Sequence, residues 1–204
     1  SFQVRADNDR LFVMSNTYVS SLTLYPVKSM RGIKLQSATL DDMGIRWDRR
    51  WMVIDANSHY VTGRQQPKLL TIQPKLTEEG TLSLDFPDGT RLPVAPAVPE
   101  KQRIPVTIWN DTVMAMPLDE SCNQALSNFL EKDCRLVFIE SDEIRQLDQE
   151  YANPGERTGF SDGFPLLLIS EASLDDLNSR LAEPLPMQRF RPNIVVSGCP
   201  AYAE

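Results

Sequence analysis

The sequence predicts a β-rich α+β fold in two parts, on three observations. Strand-like stretches bounded by turn residues recur roughly every 8–12 residues through the first 120 positions, the spacing of a barrel or sandwich. An amphipathic helix follows near position 120. Beyond position 140 a polar loop gives way to an apolar run, a short helix and a β-branched strand, the opening of a second domain. The expected organisation is a leader over 1–17, a first domain over 18–140, and a linker with the start of the second domain over 141–204.

Each element has a local reason. The leader carries four charges in residues 1–13 and no apolar core, unlike a secretory signal. It is expected to be disordered, or added ahead of a natural start at Met14. Residues 18–25 mix β-branched, aromatic and small side chains before Pro26. Residues 50–54 form a strand that 55–58 turn back toward 60–62. Residues 82–86 alternate, and Pro87-Asp88-Gly89 turns them because proline presets φ while glycine accepts φ > 0. Residues 106–109 and 113–116 flank Asn110-Asp111, a second hairpin signal. Leu118, Cys122, Ala125, Leu126, Phe129 and Leu130 recur at helical spacing, with Asp119 and Glu120 where the helix dipole favours acids. Cys122 falls on that apolar face and Cys134 opens the strand 134–139, so both read as core. The polar stretch 140–162 reads as a lid or linker. Residues 165–169 are continuously apolar and predict a buried strand. Ser170 then caps a helix carrying Leu174, Leu177 and Leu181, ended by Pro184 and Pro186.

Composition excludes several functions. With 204 residues, 41% hydrophobic and 24% charged, the chain is an ordinary globular one. No stretch approaches the ~20 apolar residues of a membrane helix. A net charge of −7 argues against general nucleic-acid binding. Three cysteines without a C-x-x-C pair argue against zinc and for a reducing, cytoplasmic compartment. The single histidine, His59, sits at a polar hairpin tip, which disfavours histidine metal sites and a hydrolytic triad. No glycine-rich phosphate loop is present.

The remaining chemistry lies in cations at strand ends. Lys28 and Ser29 follow the first strand, Arg49 and Arg50 precede the next, and Arg64 follows it. Arg191 opens the strand that includes Ile194, Val195 and Val196. A guanidinium fork binds anionic oxygens bidentately and an ammonium adds a point charge, so together they suit a phosphate or another multiply charged anion. Acidic pairs such as Asp41-Asp42 and Asp175-Asp176 read as solvated.

Five motifs then occur in a recognisable order: Leu24-Tyr25-Pro26-Val27-Lys28-Ser29-Met30-Arg31-Gly32, Asp48-Arg49-Arg50-Trp51-Met52-Val53-Ile54, Val61-Thr62-Gly63-Arg64-Gln65, Leu167-Leu168-Ile169-Ser170-Glu171-Ala172-Ser173, and Phe190-Arg191-Pro192-Asn193. Over residues 18–204 the chain resembles MOSC proteins with the MOSC N-terminal β-barrel domain, the group of the mitochondrial amidoxime-reducing component and its bacterial relatives. The resemblance implies a first MOSC N-terminal β-barrel-like domain, then the incomplete first part of a MOSC β-barrel domain. It implies an oxidoreductase that uses the molybdenum cofactor (molybdopterin) to reduce N-hydroxylated compounds. Electrons would come from a redox protein or an appended ferredoxin-like domain. By position it carries cofactor binding onto Lys28, Ser29, Arg49, Gly163, Phe164, Arg191 and Asn193. The family's molybdenum-ligating cysteine would lie beyond Glu204, so no metal ligand or catalytic residue is assigned here. The stretch by itself is expected to lack the cofactor and to be inactive. A second reading is a carrier module related to molybdenum cofactor sulfurases, without turnover of its own.

Overall fold

The computed structural model describes residues 3–5, 17–96 and 102–204. The strands, in chain order, are β1 (Gln3–Arg5), β2 (Tyr18–Leu24), β3 (Ile33–Leu35), β4 (Ser37–Asp41), β5 (Gly44–Ile45), β6 (Trp51–Asp55) and β7 (Gln73–Leu76). They continue as β8 (Leu82–Asp85), β9 (Arg91–Pro93), β10 (Ile104–Ile108), β11 (Asp111–Pro117), β12 (Cys134–Phe138), β13 (Leu168–Ser170) and β14 (Ile194–Ser197). Two α-helices, α1 (Glu120–Leu130) and α2 (Glu171–Asn178), complete a strand-rich α+β fold. Among the described residues no helix is long and apolar enough to cross a membrane.

Packing divides the chain into two compact units that interleave in sequence. The larger comprises Tyr25–Ile33 and Trp47–Pro165, the other Ser1–Leu24, Lys34–Arg46 and Leu166–Glu204. Residues 141–165 belong with the strands that precede them.

In the larger unit an antiparallel sheet runs β10-β11-β12-β6, and β7-β8-β9 form a second sheet. Strand β6 supplies both faces of its sheet. Trp51 and Val53 enter one core cluster with Leu136 and Phe138, while Met52 and Ile54 enter another with Val106, Ile108 and Val137. Covering on both faces explains why β6 reads as a continuous apolar run. Helix α1 lays Cys122, Leu126 and Leu130 onto the first cluster. Asp119 caps it, its carboxylate accepting from Cys122 N at 2.8 Å. Gly89 turns β8 into β9 at φ 88°, as proline–glycine chemistry anticipates.

Two local expectations are corrected here. The β10–β11 turn is Trp109-Asn110, since Asp111 pairs with Ile108, and Trp109 takes the left-handed conformation at φ 53°. The stretch 140–162 is packed rather than a loose lid. Phe160 is fully buried in the second core cluster, and Arg145 ties strand β11 to the end of the stretch.

In the other unit the sheets run β1-β4-β5 and β13-β14-β2-β3. Within the expected leader, Gln3–Arg5 form β1, paired with β4, while 1–2 and 6–16 lie outside the described residues. The apolar run 165–169 is not a buried strand. Strand β13 begins at Leu168, runs parallel to β14 at the sheet edge, and leaves Leu167 and Leu168 each 40% exposed. An apolar run fixes strand propensity but not how many faces are covered. Ser170 caps α2, accepting from Ser173 N at 3.0 Å, and Leu181 lies beyond the helix, exposed.

Candidate functional site

The larger unit gathers its charges around Lys28. The backbone there is fixed twice: Lys28 N donates to Trp51 O at 2.8 Å, and Ser29 turns the chain at φ 66°. The side chain points inward and is buried. Its ammonium donates to Phe160 O at 2.9 Å and to Asp162 Oδ1 at 2.5 Å. Trp109 Nε1 donates to the same carboxylate oxygen at 3.3 Å. Burial lowers the Lys28 pKa; Asp162 opposes that shift, while the charges of Arg145 and Arg49 add to it. Burial pushes the Asp162 carboxyl up, but the charge and hydrogen bond of Lys28 outweigh it and hold the group below its usual range.

Arg49 supports this site through its backbone and its charge. It sits at φ 47°, with its N–H on Tyr25 O at 2.8 Å and its carbonyl accepting from Phe160 N at 2.7 Å. The guanidinium pairs with Asp48 and lies 4.8 Å from the Tyr25 ring centroid. Arg50 goes elsewhere: its Nε and Nη2 donate to Ile139 O at 3.0 and 2.7 Å, and it lies over Phe138. Adjacent arginines thus divide into one beside the candidate site and one committed to the core.

Two residues shape the segment carrying Phe160 and Asp162. A Cβ on Gly159 would stand 2.7 Å from Arg49 O, so only glycine lets the two backbones approach this closely. Arg145, also buried, donates to Asp111 Oδ2 at 2.7 Å, Gly159 O at 3.0 Å and Ser161 O at 2.6 Å.

The other sequence-derived positions fall differently. Ser29 is half-buried beside Lys28. Gly163 is exposed with open space where a Cβ would stand, and Phe164 is 47% exposed, edge-on to Tyr151. From this loop it is Asp162 that reaches Lys28. Arg64 and His59 are exposed. Arg191 and Asn193 belong to the other unit. Arg191 does not open the strand: it lies at φ 58° after a 3-10 turn, and β14 begins at Ile194. Asn193 is fully buried, donates from Nδ2 to Thr23 O at 3.1 Å and accepts from Leu167 N at 3.3 Å, so its amide fixes backbone. Among the described residues no group of three or more His, Cys, Asp and Glu side chains could hold a metal ion.

Sequence reading missed Arg145, Tyr60, Trp109 and the roles of Phe160 and Asp162. Only Gly159 directly before Phe160 hinted that two backbones meet there.

Strand-rich packing around a buried, ion-paired lysine describes the site, and family comparison defines the lineage. The model of the MOSC N-terminal beta barrel domain matches residues 16–133, and that of the MOSC domain matches 155–204. The chain belongs to the family of proteins with a MOSC N-terminal beta barrel domain. The mouse mitochondrial amidoxime-reducing component 1 is 35% identical over 196 residues, covering 91% of this chain and 57% of that protein. Human mitochondrial amidoxime-reducing component 1 is 35% identical over 198 residues, and human component 2 is 34% identical over 204. Each comparison covers 91% of this chain and 58% of the human protein. The chain thus spans less than two thirds of the length of these relatives.

Proposed function

We propose that this chain binds the molybdenum cofactor within an oxidoreductase that reduces N-hydroxylated compounds. The observation that carries the reading is Lys28, a buried ammonium with Arg49 and Arg145 adding positive charge. Burying a charge costs several kcal/mol unless it is paired, and the partner of Lys28 is the exposed Asp162 carboxylate, which an anion-bearing ligand could replace. The donor set fits molybdopterin, which joins a phosphate to a polar ring system. When bound, that cofactor would supply the two-electron chemistry of N–O reduction. Lys28 and Arg49 would hold the anionic group, and Arg145 would keep Asp162 and the Phe160 carbonyl in place. Ser29, Gly163, Phe164 and Arg191 enter the proposal through the family motifs, and Asn193 as a residue that positions the chain beside Arg191. Names of the relatives support an amidoxime-type substrate, and the redox-protein donor rests on the family resemblance. Three free thiols support a reducing, cytoplasmic setting.

The test is the pterin content of the whole protein, read by fluorescence after oxidation, with reduction of an amidoxime by an artificial donor. Near-stoichiometric pterin with turnover supports the reading. Pterin without turnover supports the sulfurase-like carrier, and no pterin in a cofactor-competent host overturns both.

A further inference from the structure

Two aromatic rings flank the Lys28 ammonium. Nζ lies 5.8 Å from the Tyr60 centroid and 5.9 Å from that of Trp109, and the rings are 5.1 Å apart, tilted by 49°. Trp109 is placed against local preference. It occupies a two-residue hairpin turn at φ 53°, where asparagine or glycine is the unstrained choice, and its side chain is bulky there. Core packing does not explain it, because the residue is 42% exposed. Strain of this kind concentrates at binding sites. The indole is also oriented, since its N–H is held by the Asp162 oxygen that pairs with Lys28.

We propose that the exposed Trp109 indole, backed by Tyr60, is a stacking platform for a planar heteroaromatic ligand whose anionic group is met by Lys28. This rests on the cofactor reading of the same site and adds to it the residues that would recognise a ring. The Asp162 side chain, 74% exposed, is the group the ligand's anion replaces, both on the ammonium and as the acceptor of the Trp109 Nε1 hydrogen bond. A ring-free anion gains only the Lys28 contact; a planar one gains stacking as well, which in comparable sites shifts affinity by about tenfold or more.

Calorimetric titration of the chain with pterin-6-carboxylate, and with inorganic phosphate as the ring-free anion, tests this. Trp109→Leu is expected to weaken pterin-6-carboxylate about tenfold and to leave phosphate unchanged, while Trp109→Phe keeps most of the affinity. Lys28→Met is expected to weaken both. On the wild-type chain, pterin-6-carboxylate should also protect Trp109 from N-bromosuccinimide oxidation, read by peptide mass spectrometry, which needs no variant to fold. Equal affinity in wild type and Trp109→Leu, or oxidation of Trp109 unaffected by ligand, overturns the platform. Either result leaves the cofactor reading standing wherever Lys28→Met still strips pterin from the whole protein.

Discussion

Lys28 and Asp162 form an ion pair of unequal halves. Their charged atoms are 2.5 Å apart, yet the lysine side chain is 7% exposed and the aspartate 74%. The buried partner cannot be solvated, so the exposed one compensates it and remains able to leave.

That asymmetry sets a pH dependence. The folded Asp162 pKa lies below its ordinary 3.8, so its contribution to stability is fully present above that value and is lost as pH falls through the folded one. Lys28 gives a slope of the same sign in a different window: its pKa is lowered from 10.5, so stability rises with pH between the folded value and 10.5. Asp162→Asn should therefore lower Tm near neutrality, and the gap to wild type should close as pH falls through the folded Asp162 value. A gap of constant size through acid would refute the pairing as its source.

Arg49 and Arg50 should differ in their effect on cofactor retention, although Arg49→Ala also removes the ion pair with buried Asp48. Arg49→Ala is expected to weaken cofactor retention in the whole protein by about 1.5–3 kcal/mol, since it removes a charged group beside the site. Arg50→Ala removes both bonds to Ile139 O and should cost about 1–3 kcal/mol of folding stability. Pterin content and urea midpoints measured on both variants check this; a reversed pattern refutes the assignment.

Gly159→Ala should destabilise by about 1–3 kcal/mol through overpacking, because the new methyl meets Arg49 O at 2.7 Å and the neighbour is backbone. Phe160→Ala should cost about 3–5 kcal/mol by opening a cavity in the second core cluster. Chemical denaturation reads both, and a wild-type midpoint for Gly159→Ala would show that this approach relaxes freely.

Thiol reactivity should single out one cysteine. Burial pushes the Cys122 thiol up to about 12 and raises Cys134 as well, while Cys199 is half-buried outside the core clusters. Native protein at mild alkaline pH should therefore label at Cys199 first with iodoacetamide, and all three cysteines only after denaturation. Fast native labelling of Cys122 would contradict its burial.

The sequence by itself determined the local elements and the chemistry available. Turn residues such as Pro87-Asp88-Gly89 act within a few positions. The Asp119 and Ser170 caps do likewise, and the apolar period of α1 repeats along one helix; hence their legibility. The order of the family motifs exposed Lys28 and Arg49 as site candidates. Tertiary structure alone decided which groups meet. Asp162 reaches Lys28 across 134 positions and Thr23 reaches Asn193 across 170, and nothing in local periodicity encodes such pairings. It also decided that 165–169 lies at a sheet edge, that Arg145 holds a loop, and that Trp109 stands beside an ammonium. Propensity is a property of neighbours along the chain, whereas coverage and charge compensation are properties of neighbours in space.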